Sequence, residues 1–170
     1  YRTLTAVDSA VMVLDAAKGI ESQTLKLFEV CRLRDIPIVT FINKCDREGL
    51  SPFELLDEIE NRLALDVCPM VWPVGMGGLF HGCFDLRGGD FYTSAAGAGG
   101  RFDATHATAG IDDAHFDTCI SAEVLPGFRE DAELALSGYA DFNAESYREG
   151  HLTPVYFGSA LKDYSVGELL

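Results

Sequence analysis

An apolar run that ends on a polar tetrad sets the terms for this chain. Pro37-Ile38-Val39-Thr40-Phe41-Ile42 has the length and β-branching of a buried strand, and Asn43-Lys44-Cys45-Asp46 follows it directly. The carboxyl end of a buried parallel strand is where open α/β sheets bind ligands. Asn-Lys-x-Asp at that place suits guanine. The Asp46 carboxylate can accept hydrogen bonds from both the ring N–H and the exocyclic amine of that base, a donor pair adenine lacks. The Lys44 stem can lie along a ring face, and the Asn43 amide can tie neighbouring loops together.

A second half of such a site belongs on a later strand. Thr153-Pro154-Val155-Tyr156-Phe157 reads as one, and Gly158-Ser159-Ala160-Leu161 follows immediately. A small-residue turn there can offer a backbone N–H to the oxygen at C6 of guanine, where adenine carries an amine. The same turn is also an ordinary strand-to-helix connection. The candidate base-site residues are therefore Asn43, Lys44, Cys45, Asp46, Ser159, Ala160 and Leu161.

The organisation around these segments alternates. Residues 10–14 read as a buried strand, and Ser22 to Arg34 as a helix with Leu25, Phe28 and Cys31 on one face. Ser51-Pro52-Phe53-Glu54 has the pattern of a capped helix start, with Ser51 as N-cap, Pro52 in the first turn and Glu54 closing a capping box. Leu55, Ile59 and Leu63 recur at helical spacing after it. This βαβα order predicts an α/β fold built on a partial doubly wound parallel sheet. The next strand of that sheet is expected only at 153–157. The gap exceeds what one crossover needs, so residues 68–150 are read as an inserted α/β subdomain between 1–67 and 151–170. Within it, Val67 to Leu86 suggests short strands or a hairpin, Ser94 to Gly100 a mobile loop, and Pro126–Ser137 and Asn143–Gly150 two short acidic helices.

Charge narrows the function classes. The formal net charge is −14 across 170 residues, which argues against a nucleic-acid grip. Lysines stand only at 18, 26, 44 and 162. Within the insert, Asp112, Asp113, Asp117, Glu123, Glu130, Asp131, Glu133, Asp141, Glu145 and Glu149 stand against only Arg129 and Arg148 over the same stretch, 112–149. That is either a solvated face or a docking surface for a basic protein partner. The cysteines at 31, 45, 68, 83 and 119 form no Cys-x-x-Cys pair, and the histidines at 81, 106, 115 and 151 lack ligand spacing, so neither a disulfide framework nor a metal site is indicated. No apolar run reaches membrane-spanning length and no signal-peptide pattern occurs, so a cytoplasmic location is expected.

Beyond these motifs the chain resembles a known family. Tyr1-Arg2-Thr3-Leu4-Thr5-Ala6-Val7-Asp8-Ser9-Ala10, Asp15-Ala16-Ala17-Lys18-Gly19-Ile20, Phe41 to Arg47, Pro52 to Glu60, Val71-Trp72-Pro73-Val74-Gly75 and Gly150 to Leu161 resemble the GTPase domain of the bacterial class-II peptide-chain release factors (release factor three), within the translational GTPases. The resemblance covers 1–86 and 147–170 and is thin over 87–146. It implies a P-loop-type GTPase fold with an inserted subdomain, GTP and GDP as ligands, and Mg²⁺ in the full-length protein. It also implies partners: the ribosome, a class-I release factor, and the ribosomal stalk protein against the acidic insert. The implied role is recycling of class-I release factors at termination. The alternatives are a translocation-type elongation GTPase, which shares the base motifs, and a non-catalytic protein-interaction module. Tyr1 to Val7 reads as a helix already under way and Ser165 to Leu170 as a helix start, so a piece of a longer protein is expected. No Gly-x-x-x-x-Gly-Lys-Ser/Thr sequence occurs in the 170 residues. The parent protein is therefore expected to hydrolyse GTP and this stretch alone to be inactive, carrying guanine recognition without a phosphate loop.

Overall fold

A computed structural model describes residues 7–170. Of the helix expected over Tyr1 to Val7, residues 1–6 lie outside the described residues. Strand β1 (Ala10–Asp15), helix α1 (Ser22–Arg32), strand β2 (Ile38–Asn43) and helix α2 (Pro52–Leu63) alternate as the periodicity predicts. β1 and β2 run parallel, in register from Ala10 opposite Ile38 to Asp15 opposite Asn43. α1 buries Phe28 and Cys31, with Leu25 partly covered. α2 starts on the predicted capping box: the Glu54 N–H donates to Ser51 Oγ at 3.2 Å, and the Ser51 N–H donates to the Glu54 carboxylate at 2.9 Å. Leu55, Leu56, Ile59 and Leu63 form its buried face.

The sheet departs from expectation at its third step. The next parallel strand comes directly after α2, as β3 (Asp66–Val74), and not first at 153–157. Strand β7 (Leu152–Phe157) then enters between β2 and β3, parallel to both. The α2 crossover thus carries the chain past a vacant position that a segment from far downstream fills. The sequence hides β3 because Pro69 and Pro73 lack the N–H that a ladder uses, which ordinarily argues against an interior strand. A register shift between Pro69 and Val71 takes up the irregularity. β4 (Gly82–Asp85), β5 (Asp90–Thr93) and β6 (Ala104–Ala107) follow antiparallel, β3–β4 being the hairpin expected over 67–86.

The fold is α/β, as the element order predicted, on a mixed sheet that runs parallel from β1 to β3 and antiparallel from β3 to β6. Its order is β1-β2-β7-β3-β4-β5-β6 among the described residues. The boundary read between residues 67 and 68 falls inside β3, and 68–150 extends the common sheet before adding helices α3 (Phe116–Cys119), α4 (Leu125–Gly138) and α5 (Ala144–Arg148). α6 (Val166–Leu169) closes the described chain. β1 and β6 are the two edge strands among the described residues, and Val11 and Val13 on β1 are 49% and 54% exposed.

Two aromatic clusters pin the sheet's faces. Trp72, 1% exposed, packs with ring centroids 5.1 Å from Phe53 and 5.2 Å from Phe157. Phe116 meets Phe84, Phe91 and Phe128 edge to face at 5.6, 5.3 and 5.4 Å, the geometry that aromatic quadrupoles favour. Between β2 and β7 lies a buried polar pair. Thr40 Oγ1 and Thr153 Oγ1 are 2.9 Å apart, and Thr153 Oγ1 also donates to the Ile38 carbonyl at 2.8 Å. Thr153→Val removes the only partner that the fully buried Thr40 hydroxyl has among the described residues, which costs about 1–3 kcal/mol. Adding Thr40→Val removes the stranded group, so the double variant is expected to be more stable than Thr153→Val alone, as read by urea denaturation of both. Equal or lower stability of the double variant refutes this account of the pair.

Candidate functional site

β2 and β7 deliver both predicted segments to one end of the sheet. Ile42 and Phe157 are register partners, so Asn43 and Gly158 leave the sheet side by side. The Gly158 N–H donates to the Ile42 carbonyl at 2.9 Å, and the Cys45 N–H donates to the Gly158 carbonyl at 3.1 Å. The Asn43 side chain completes the junction. Its Oδ1 accepts from the Lys44 N–H at 2.8 Å and from the Ala160 N–H at 2.9 Å, 117 positions away. The amide does tie neighbouring loops, as its residue type promised.

Lys44 sits at φ +70°, uncommon for a residue with a side chain. Its ammonium is anchored on β1 by Asp15, Nζ to Oδ2 2.6 Å. The hydrogen bond from Lys44 is the main cause that holds the Asp15 carboxyl below its ordinary range. Cys45 is fully buried: its thiol donates weakly to the Ile42 carbonyl at 3.5 Å, and its own carbonyl accepts from the Gly77 N–H at 3.0 Å. Burial pushes that thiol well above its usual range, so it stays protonated and inert. Asp46 keeps only 8% of its side chain exposed, and Lys162 Nζ lies 3.5 Å from its Oδ2.

The second segment is shaped by tertiary contacts that its sequence does not announce. Ser159 is 1% exposed and its Oγ has no protein partner among the described residues. Of the backbone N–H groups in this turn, that of Ala160 is taken by Asn43; the Leu161 N–H has no partner among the described residues, and the Leu161 side chain is exposed. Asp163 and Ser165 both adopt positive φ and fold the turn back on itself. Tyr164 is thereby buried between Phe80 and Phe102, at 5.0 and 5.9 Å. Gly158 is fixed by this packing, because a Cβ there would stand 2.4 Å from the Tyr164 carbonyl oxygen and 3.0 Å from the Phe41 ring. Gly158→Ala is expected to cost about 1–3 kcal/mol through overpacking, visible as a lower urea midpoint. An unchanged midpoint means that the turn relaxes freely.

Two loops from the 68–150 stretch border the site. The turn over 75–79 approaches Cys45 and Glu48, and Gly77 there adopts a φ of +59° that favours glycine. Ser94 to Gly100, read as mobile from composition, is tied down here. Its backbone N–H groups reach Ser94, Phe80 and the Asp103 carboxylate, and its Gly99 and Gly100 carbonyls accept from Lys162 and Tyr164. Residues that sequence reasoning missed are thus Asp15, Lys162 and Tyr164. Asp15 carried a weak signal, as the polar residue ending the β1 run. Lys162 and Tyr164 act through contacts with a loop some sixty positions away, which no local pattern reports.

The acidic stretch is less uniform than its composition. Asp113 closes a turn by accepting from the Ala109 and His115 N–H groups, Asp117 pairs with Arg129 at 3.1 Å, and Asp141 pairs with Arg87. On α4, Glu130 and Glu133 are exposed while Asp131 is half-buried, which pushes its carboxyl up. His81 is buried with its ring near Ser121 Oγ, and the His106 and His115 rings lie 4.5 Å apart, tilted by 42°. Among the described residues no group of three or more His, Cys, Asp or Glu side chains is placed to hold a metal ion, and no helix is long and apolar enough to cross a membrane.

Comparison with known proteins adds the family context. The profile of the elongation factor Tu GTP binding domain matches residues 1–170. Among solved structures, the crystal structure of ttk003000868 from Thermus thermophilus superposes with a TM-score of 0.66 at 21% identity, over 98% of this chain and 26% of that one. At that identity the likeness speaks for the fold alone, and this chain spans about a quarter of that protein's length.

Proposed function

The chain belongs to the elongation factor Tu GTP binding domain family, and on that premise we propose that it is the base-reading part of a translational GTPase. Asn43, Lys44 and Asp46, with the backbone of Cys45 and of Ser159, Ala160 and Leu161, form the guanine site. Asp46 accepts from the two base donors, Lys44 lies along the ring, Asn43 holds the two loops together, and the Leu161 N–H faces the base oxygen. The observation that carries this reading is the Asn43 amide, whose Oδ1 joins the loop after β2 to the turn after β7.

Within that class we assign the protein to the factors that remove class-I release factors from the ribosome at termination. The support is the resemblance over 1–86 and 147–170, including Leu4-Thr5-Ala6-Val7-Asp8 and the run Phe28–Arg34, against the translocation-type factors. The division into 1–67 with 151–170 and an inserted 68–150 belongs to the same proposal, as do a cytoplasmic location and an acidic contact between 68–150 and the ribosomal stalk protein. GTP and GDP are the ligands. Mg²⁺ and the phosphate-binding groups come from outside these 170 residues, which on their own are not expected to turn over GTP. The test uses the full-length protein and ribosomes carrying a bound class-I release factor. GTP-dependent release of that factor supports the assignment. GTP-dependent movement of transfer RNA instead identifies a translocation factor, and absence of any GTP dependence leaves a protein-interaction module.

A further inference from the structure

The carboxylate on which the proposed base site depends has a cationic neighbour that no part of the base-reading motif supplies. We propose that Lys162 is a positioning residue, which orients Asp46 for two-donor bases and couples base selectivity to the order of the 94–103 loop. The inference rests on the guanine-site reading above. Lys162 lies in the short helical turn Ala160–Lys162, and its side chain is largely covered at 23% exposure. Its ammonium has three donors. One reaches the Gly99 carbonyl at 2.8 Å, and the same nitrogen stands 3.5 Å from Asp46 Oδ2.

The segment around it is stapled to that loop at several points. The Phe102 N–H donates to the Lys162 carbonyl at 2.9 Å, the Tyr164 hydroxyl donates to the Gly100 carbonyl at 3.3 Å, and Arg101 pairs with Asp163. The loop, the ammonium and the carboxylate therefore make one chain of contacts. A guanine presents two parallel donors and needs both Asp46 oxygens held in one plane. Hypoxanthine, which lacks the exocyclic amine, presents one donor and tolerates a carboxylate that turns. An ammonium fixed on one side by Gly99 restrains that rotation. It also attracts a carboxylate shielded from water more strongly than it would in bulk solvent.

The test compares GDP with IDP on the full-length protein. Lys162→Met is expected to weaken GDP about tenfold and IDP less, narrowing the GDP-to-IDP preference. Amide exchange at Gly97, Gly99 and Gly100 is expected to speed up in the same variant, and in the wild type to slow when GDP is bound. Lys162→Arg keeps the charge and is expected to restore most of the preference, separating positioning from a packing defect. Arg101→Ala, which cuts the Arg101–Asp163 loop contact remote from Asp46, is expected to loosen the loop and to narrow the GDP-to-IDP preference partway; a loosened loop with an unchanged preference overturns the coupling. An unchanged preference in Lys162→Met overturns the positioning role, and loop exchange indifferent to both GDP and Lys162→Met overturns the coupling. Asp46→Asn serves as the separate check. If it leaves guanine preferred over xanthine, the base site itself is misassigned; if it shifts that preference while Lys162→Met is silent, only the role of Lys162 falls.

Discussion

Replacing Asp46 with Asn is expected to shift nucleotide preference from GTP toward XTP by roughly ten- to a hundredfold, the range set by one mismatched buried hydrogen bond at about 1–3 kcal/mol. The substitution keeps the shape of the side chain and exchanges one acceptor for a donor. That donor opposes the exocyclic amine of guanine and suits the carbonyl that xanthine carries in its place. The low exposure of the Asp46 side chain puts the exchange near the upper end of the range, because water cannot readily compensate the mismatch. Titration of the full-length variant with both nucleotides at fixed Mg²⁺ reads the result. A preference for GTP equal to that of the wild type removes Asp46 from the base site.

Trp72→Ala is expected to cost about 3–5 kcal/mol, against a total stability of about 5–15 kcal/mol for a domain of ordinary size. The indole fills the space between Phe53 at the start of α2 and Phe157 at the end of β7. Neither ring can close the resulting gap without moving its strand or helix. The loss is also expected to reach the site, since Phe157 immediately precedes the Gly158 turn. Urea denaturation followed by circular dichroism measures the cost, because the chain holds no other tryptophan to report by fluorescence. Trp72→Phe, which keeps an aromatic ring there, is expected to lose clearly less. A cost below about 1 kcal/mol for the alanine variant means that the space between α2 and β7 collapses easily.

The sequence was most informative where physics is local. The β-branched run read at 37–42 formed the strand at 38–43, the Ser51–Glu54 box formed as its spacing predicted, and the polar tetrad and the small-residue turn meet at one sheet end. It was least informative where partners are distant. β3 was legible as apolar, but its prolines disguised it as part of a hairpin alone, and only the register shift shows how an interior strand accommodates them. The glycine-rich stretch had the composition of a mobile loop, yet its carbonyls found donors on Lys162 and Tyr164. The acidic residues of 112–149 looked alike in sequence, while in the fold Asp113, Asp117 and Asp141 are occupied by internal contacts.

The late arrival of β7 has a consequence for how the molecule is made. Until residues 152–157 leave the ribosome, β2 and β3 stand two strand spacings apart, about 10 Å, with facing rows of unsatisfied backbone groups. During that interval the nascent chain offers a slot shaped for any extended segment, which invites wrong pairing with a neighbouring chain. Closure then depends on a contact between residues far apart in sequence, the slow kind. The Asn43 amide finds Ala160 only in this last step. On the proposed reading, competence to read a base is acquired all at once, when β7 closes the sheet between β2 and β3.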